Sequence, residues 1–144
     1  MQLLQLEAFR IYAICACLLA LNLFVLANYT AFVRWRSKQV INPEDATSLK
    51  AAVADAEHER VARTHRAHRN AVENILPFFI VGLLYAMSDP TPLGAKAYFI
   101  TFTAARWLHS ICYLAGLQPW RTVAYVVGLL ATLGMMVHVV FVSP

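Results

Sequence analysis

The 144-residue sequence predicts an all-α fold, a bundle of four transmembrane helices, on three observations. Hydrophobic residues make up 60% of the chain and charged residues only 14%, a balance foreign to a soluble domain of this length. Residues 11–33 and 122–142 are free of charge over 23 and 21 positions, so each can cross a bilayer as a helix with modest tilt. Between them lie two more apolar segments, one opened and one interrupted by polar groups at helical spacing. Residues 1–144 therefore read as one membrane domain, with spans at about 6–34, 58–88, 94–115 and 120–142 and a polar loop at about 35–57.

The first span is expected to begin near Leu6, with Asn22 and Asn28 each bonded to a neighbouring helix or to the backbone. It is not expected to be a cleavable leader: its apolar run exceeds a signal-peptide core, it starts beside Glu7 and Arg10, and residues 29–36 contain no small-residue cleavage pattern. After Arg34-Trp35-Arg36-Ser37-Lys38 comes Asn42-Pro43-Glu44-Asp45, a turn whose proline can open a short helix. Residues 50–69, rich in alanine and in charges of both signs, are expected to be helical and to grow directly into the second span.

Arg34, Arg36, Lys38, Lys50, Arg60, Arg63, Arg66 and Arg69 put eight of the twelve basic residues between the first span and the start of the second. The positive-inside rule makes that connection cytoplasmic and puts both termini on the far side. Glu44, Asp45, Asp55, Glu57 and Glu59 dilute the positive charge, so the expected partners are anionic lipids and anionic ligands rather than nucleic acid.

The second span carries the most informative stretch, Arg66-Ala67-His68-Arg69-Asn70-Ala71-Val72-Glu73-Asn74. Arg66, Arg69, Asn70 and Glu73 fall at i, i+3, i+4 and i+7, which places two guanidiniums, an amide and a carboxylate on one helix face. Charges at membrane depth cost about 2.5 to 3.5 kcal/mol each on insertion scales, so they persist where they pair, line a cavity or hold a ligand. Pro77 removes the backbone bond to the Glu73 carbonyl, so a kink or a freed carbonyl is expected beside this cassette. Asp89-Pro90-Thr91-Pro92 then ends the helix in a tight turn.

The third span repeats the pattern, with Arg106, His109, Ser110 and Tyr113 at i, i+3, i+4 and i+7. Gly116-Leu117-Gln118-Pro119-Trp120 turns the chain at the cytoplasmic interface, and Arg121, Thr122 and Tyr125 occupy the first turns of the fourth helix. Cys15, Cys17 and Cys112 are odd in number and lie in apolar stretches, as packing residues do. His58, His65, His68, His109 and His138 do not pair with them at metal-ligand spacing, so no metal is expected. His65 and His68 read as interfacial and His138 as structural.

On the residues alone, two accounts of the arginines stand. In one, Glu73 neutralises Arg66 or Arg69 while Arg34 and Arg121 snorkel to lipid phosphates. In the other, Arg34, Arg66, Arg69, Arg106 and Arg121 face Glu73 as the single intramembrane carboxylate, and an anionic ligand supplies the missing negative charge.

The strings Glu59-Arg60-Val61, Arg66-Ala67-His68-Arg69-Asn70 with Glu73, and Asn74-Ile75-Leu76-Pro77-Phe78 resemble the membrane-associated proteins in eicosanoid and glutathione metabolism. Asn42-Pro43-Glu44-Asp45, Arg106 with His109 and Tyr113, and Arg121-Thr122 with Tyr125 match the same family, so the resemblance runs from Arg34 to Tyr125 in order. It implies a homotrimer of four-helix subunits with the cosubstrate glutathione bound between neighbours near the cytoplasmic side. It places Arg69, Asn70, Glu73, His109, Tyr113, Arg121 and Tyr125 at glutathione-binding positions, with Arg34 and Arg66 lining the same pocket. Arg121 then stabilises the thiolate, while Arg106 and His68 are structural polar residues. The arginine-bearing helices also leave polar faces that need partners, which agrees with a trimer of about 12 helices.

The sequence departs from the family at two places. Thr122 stands where prostaglandin E synthases have serine, keeping the hydroxyl and adding a methyl, and Ala62 stands where a glutamate is common. Arg69 resembles the prostaglandin synthase branch, whereas Glu73 to Phe78 and Gly82-Leu83-Leu84-Tyr85 resemble the microsomal glutathione transferase branch. The expected function is an integral, multi-pass membrane glutathione transferase acting on lipophilic electrophiles, with lipid-hydroperoxide peroxidase activity. The alternative is a glutathione-dependent prostaglandin E synthase-like isomerase, with Thr122 in the serine's place and Asp45 aiding proton transfer. A third reading is a non-catalytic scaffold whose arginines hold lipid headgroups. The expected membrane is the endoplasmic reticulum in a eukaryote and the inner membrane in a bacterium.

Overall fold

A computed structural model describes residues 7–141, so the expected start near Leu6 and the last residue of the fourth span, Val142, lie outside the described residues. Long helices dominate: α1 (Glu7–Ser37), α3 (Glu59–Met87), α4 (Pro92–Ala115) and α5 (Trp120–Phe141). A short segment between α1 and α3 contains β1 (Gln39–Val40), α2 (Pro43–Leu49) and β2 (Ala52–Val53).

Each helix ends where its sequence supplies the chemistry to end it. Asn42 precedes Pro43 at the start of α2, and Lys50 closes that helix in the left-handed region at φ 48°. The His58 ring nitrogen accepts from the Arg60 N–H at the head of α3. Thr91 Oγ1 does the same for Gly94 N–H at 3.2 Å, with Pro92 preset for the first turn of α4. Gly116, at φ 72°, closes α4: Leu117 N–H reaches the Cys112 carbonyl at 2.9 Å and Gly116 N–H the Tyr113 carbonyl at 3.3 Å.

One expectation is corrected here. Residues 50–58 are not helical: β2 pairs in parallel with β1, Gln39 against Ala52 and Val40 against Val53, and α3 begins only at Glu59. Alanine content favoured helix, but the bonds from Ala52 N–H to Lys38 O and from Ala54 N–H to Val40 O tie this stretch to the end of α1. Helix α3 then runs unbroken through Pro77.

The helices pack through one stripe each and turn their remaining apolar surface outward. On α1 the stripe is Cys15, Leu19, Asn22, Leu26 and Thr30, at helical spacing. In the core Phe78 stacks on Phe102 with ring centroids 4.3 Å apart, and Phe99 meets Tyr12, Phe78 and Tyr85. Polar side chains cross-link the helices: Ser110 hydroxyl donates to Asn22 Oδ1 at 3.2 Å, Trp107 Nε1 to Leu18 O at 3.2 Å, and Tyr12 hydroxyl to Phe79 O at 2.8 Å. Asn28 takes the other expected course and bonds its own helix at Phe24 O. His138 sets its ring edge-on to Tyr85.

Outside the stripes, Phe24 is 67% exposed, Leu130 60% and Ile111 57%, surfaces suited to lipid rather than water. Helices α1, α3 and α5 are each long and apolar enough to cross a membrane. Helix α4, at 24 residues, carries Lys96 and Arg106 within its length.

Candidate active site

Near the turn joining α4 to α5, a cleft of about 240 Å³ is lined by Asn70, His109, Tyr113, Arg121, Thr122 and Tyr125. All six are expected site residues, drawn from α3, α4 and α5. On α4, His109 and Tyr113 lie one turn apart, and the tight glycine turn at Gly116 brings Arg121 back over them. The Arg121 guanidinium lies over the Tyr113 ring at 4.7 Å, and the His109 ring stands 5.7 Å from Tyr113 and 6.1 Å from Tyr125.

Two short contacts fix the cleft. His109 Nδ1 lies 2.9 Å from the Arg121 carbonyl, so the ring carries its proton there and donates, pinning the first turn of α5 to α4. Gln118 supplies the other. Guanidinium nitrogens only donate, so the Gln118 amide oxygen faces Arg121, accepting from Nε at 3.2 Å and Nη2 at 2.5 Å. Its amide nitrogen then donates to Thr122 Oγ1 at 3.1 Å, which leaves the threonine hydroxyl hydrogen free for a further acceptor.

Arg106 lies beneath Asn70, 1% exposed, with Nη2 donating to Asn70 Oδ1 at 2.8 Å and approaching Asn70 O at 3.4 Å. Its Nε and Nη1, and Nε2 of His109, are buried without a partner among the described residues. A buried cation with one neutral side-chain partner is a poor arrangement for stability alone, and buried polar groups left unmatched, two donors on Arg106 and an acceptor on His109, call for an explanation beyond packing.

The remaining expected residues do not line this cleft within one chain. Arg66, Arg69 and Glu73 turn outward on α3, and Arg69 Nε and Glu73 Oε1 are 3.9 Å apart at 75% and 60% exposure. The single stripe read from the spacing is therefore split: Asn70 turns toward α4 while its charged neighbours face away from the chain's own core. His68 is half-buried on the same helix. Asp45 sits in the first turn of α2, accepting from Asn42 Nδ2 at 3.2 Å.

Arg34 corrects the charge imbalance counted from the sequence. It is paired with Glu57 at 2.7 Å, and Glu57 also takes His65 Nδ1 at 3.2 Å, so Glu73 is not the only carboxylate facing these arginines. Glu57 was missed because it reaches Arg34 only through the β1–β2 pairing, which no local pattern announces. Gln118 was also missed, although its place three and four residues before Arg121 and Thr122, in the turn that opens their helix, was a usable signal.

Three helices long and apolar enough to cross a membrane, with an arginine-bearing polar cleft beside them, are features of an integral membrane protein. Residues 12–141 match the MAPEG family, the membrane-associated proteins resembled by the motifs, and the chain belongs to that family. Prostaglandin E synthase of Equus caballus is 35% identical over 136 residues, covering 94% of this chain and 89% of that protein. Microsomal glutathione S-transferase 1 of Homo sapiens is 37% identical over 139 residues, covering 93% of this chain and 90% of its own. The human prostaglandin E synthase is 34% identical over 131 residues, with 90% and 86% covered.

Proposed function

We propose that the protein is an integral membrane glutathione transferase that conjugates glutathione to lipophilic electrophiles and reduces lipid hydroperoxides. The observation that carries this reading is the cleft itself: Arg121, Thr122, His109, Tyr113, Tyr125 and Asn70 converge above a buried Arg106 with unmatched donors. Glutathione has two carboxylates and one ammonium. Arginine donors suit the carboxylates and Glu73 the ammonium, and relatives named glutathione transferases support the choice.

Arg121 is the group that holds the sulfur as thiolate, since a neighbouring cation lowers a thiol pKa from about 8.5, and the start of α5 adds the positive end of a helix. Tyr113 and Gln118 hold its guanidinium in place. In conjugation the thiolate forms a carbon–sulfur bond and the leaving group departs with its electron pair. In peroxide reduction the sulfur attacks one peroxide oxygen, the oxygen–oxygen bond breaks, and the alkoxide leaves as alcohol after taking a proton. A second glutathione then displaces water from the oxidised sulfur, giving the disulfide. The free hydrogen of Thr122 is placed to bond the thiolate or the departing oxygen.

The functional unit in this reading is a homotrimer of four-helix bundles, each crossing the membrane four times within a single domain of residues 1–144. The outward positions of Arg66, Arg69 and Glu73 support it, because these residues complete a glutathione site only from a neighbouring subunit. Arg34, paired with Glu57 and 32% exposed, would line the same site in this reading. The basic connection faces the cytoplasm, and the membrane is the endoplasmic reticulum in a eukaryote or the inner membrane in a bacterium.

A prostaglandin E synthase-like isomerase is the second reading, favoured by the Thr122 hydroxyl at the cleft and by relatives of that name. Asp45 would then assist proton transfer from a neighbouring subunit, since within one chain it lies on α2. Purified protein assayed with a general electrophile, a fatty-acid hydroperoxide and prostaglandin H2 separates the two. The first two substrates should turn over with glutathione. Turnover of prostaglandin H2 alone would give the function to the isomerase, and no turnover with no glutathione binding at millimolar concentration would end both readings.

A further inference from the structure

A second and larger groove, about 840 Å³, runs between the end of α1, the first turns of α3 and the last turn of α4. It shares no lining residue with the cleft. One wall is aromatic, with Tyr29 and Phe32 at a ring separation of 6.3 Å. The groove's polar end is basic, formed by Arg36 from the last turn of α1, on the same helix face as the aromatic rings, and by Arg60 and Arg63 from α3.

The charges do not cancel. Glu59 is the one carboxylate among the described lining residues, and it stands 3.5 Å from Arg63 at 82% exposure, where an ion pair offsets little. Arg63 is also held in place by packing, because its Nη1 would lie 2.7 Å from a Cβ at Gly116, which sets the guanidinium against the carbonyl end of α4. Arg36 and Arg60 have no carboxylate partner among the described residues. Tyr29 and Phe32 lie one to two turns deeper along α1 than Arg36, so the groove is apolar toward the membrane interior and cationic at its edge. That edge belongs to the basic connection, on the side of the membrane where anionic lipids present their phosphates.

We propose that this groove is a binding site for an anionic membrane phospholipid, its phosphate between Arg36 and Arg60 and one acyl chain along Tyr29 and Phe32. The occupant is an amphiphile because the groove changes from aromatic to basic along α1. It is anionic because two guanidiniums without a carboxylate partner among the described residues line the polar end. The site is separate from the glutathione cleft, so the two can fail independently.

The test is native mass spectrometry of the full chain from detergent containing equimolar phosphatidylglycerol and phosphatidylcholine. Phosphatidylglycerol should be retained in preference, and Arg36→Ala with Arg60→Ala should remove most of that preference, about fivefold for each arginine lost. Arg36→Lys with Arg60→Lys should keep most of it, which separates charge from a folding defect. The thiolate absorbance of added glutathione, read on the same samples, should persist in both pairs. Equal retention of the two lipids, an unchanged preference in the alanine pair, or displacement by excess inorganic phosphate would each overturn the proposal. So would efficient cross-linking of an Arg60→Cys variant to a second copy, because the groove would then be a contact between subunits.

Discussion

Arg106 and Thr122 are the residues at which structure and chemistry separate most cleanly. Arg106 holds Asn70 Oδ1 at 2.8 Å and leaves Nε and Nη1 buried without partners among the described residues. Replacing it with methionine removes a desolvated cation of similar length, so the melting temperature of the ligand-free protein should hold or rise. Glutathione binding should weaken about tenfold, because Asn70 Oδ1 loses the charged donor that fixes its place in the cleft; isothermal titration beside a thermal melt checks both halves. At Thr122, serine should sustain turnover, while valine, isosteric but without the hydroxyl, should lower kcat about tenfold with KM for glutathione unchanged. A rise in KM with constant kcat would make the hydroxyl a binding group only. The cleft residues were legible in the sequence because helical spacing alone aligns Arg106, His109 and Tyr113, and Arg121 with Tyr125. The pairing of Arg34 with Glu57 was not legible, because it comes from a fold-back that spacing does not encode.

At the level of elements, composition and punctuation carried the reading well. Charge-free runs of bilayer length, Pro92 after Thr91 and Gly116 in a positive-φ turn all mark features that the helices keep. Residues 50–58 were the exception, since a strand pair of two residues each is decided by backbone bonds to Lys38 and Val40 rather than by propensity. The contact between α4 and α5 gives a sharp prediction. A Cβ at Gly134 would stand 2.5 Å from Tyr98 Cε1, inside any tolerated separation, so Gly134→Ala must move a ring held edge-on to Tyr85. The expected cost is about 1 to 3 kcal/mol in unfolding from mixed micelles. Tyr98→Leu in the same chain should recover part of it, and no recovery would place the strain elsewhere.

The whole molecule combines helices with exposed apolar faces, a polar cleft above a buried arginine, and charged residues turned away from their own core. In the proposed trimer each chain would present Arg66, Arg69 and Glu73 toward a neighbour's cleft. Native mass spectrometry should therefore give a trimer, and a monodisperse, fully active monomer would contradict the shared site. The central claim, that this cleft holds glutathione as a thiolate against Arg121, has a more direct test. Glutathione added to the purified protein should raise the ultraviolet thiolate absorbance at neutral pH in proportion to sites filled, and Arg121→Ala should abolish the rise. An Arg121→Ala protein that binds glutathione and shows the full thiolate signal would contradict it.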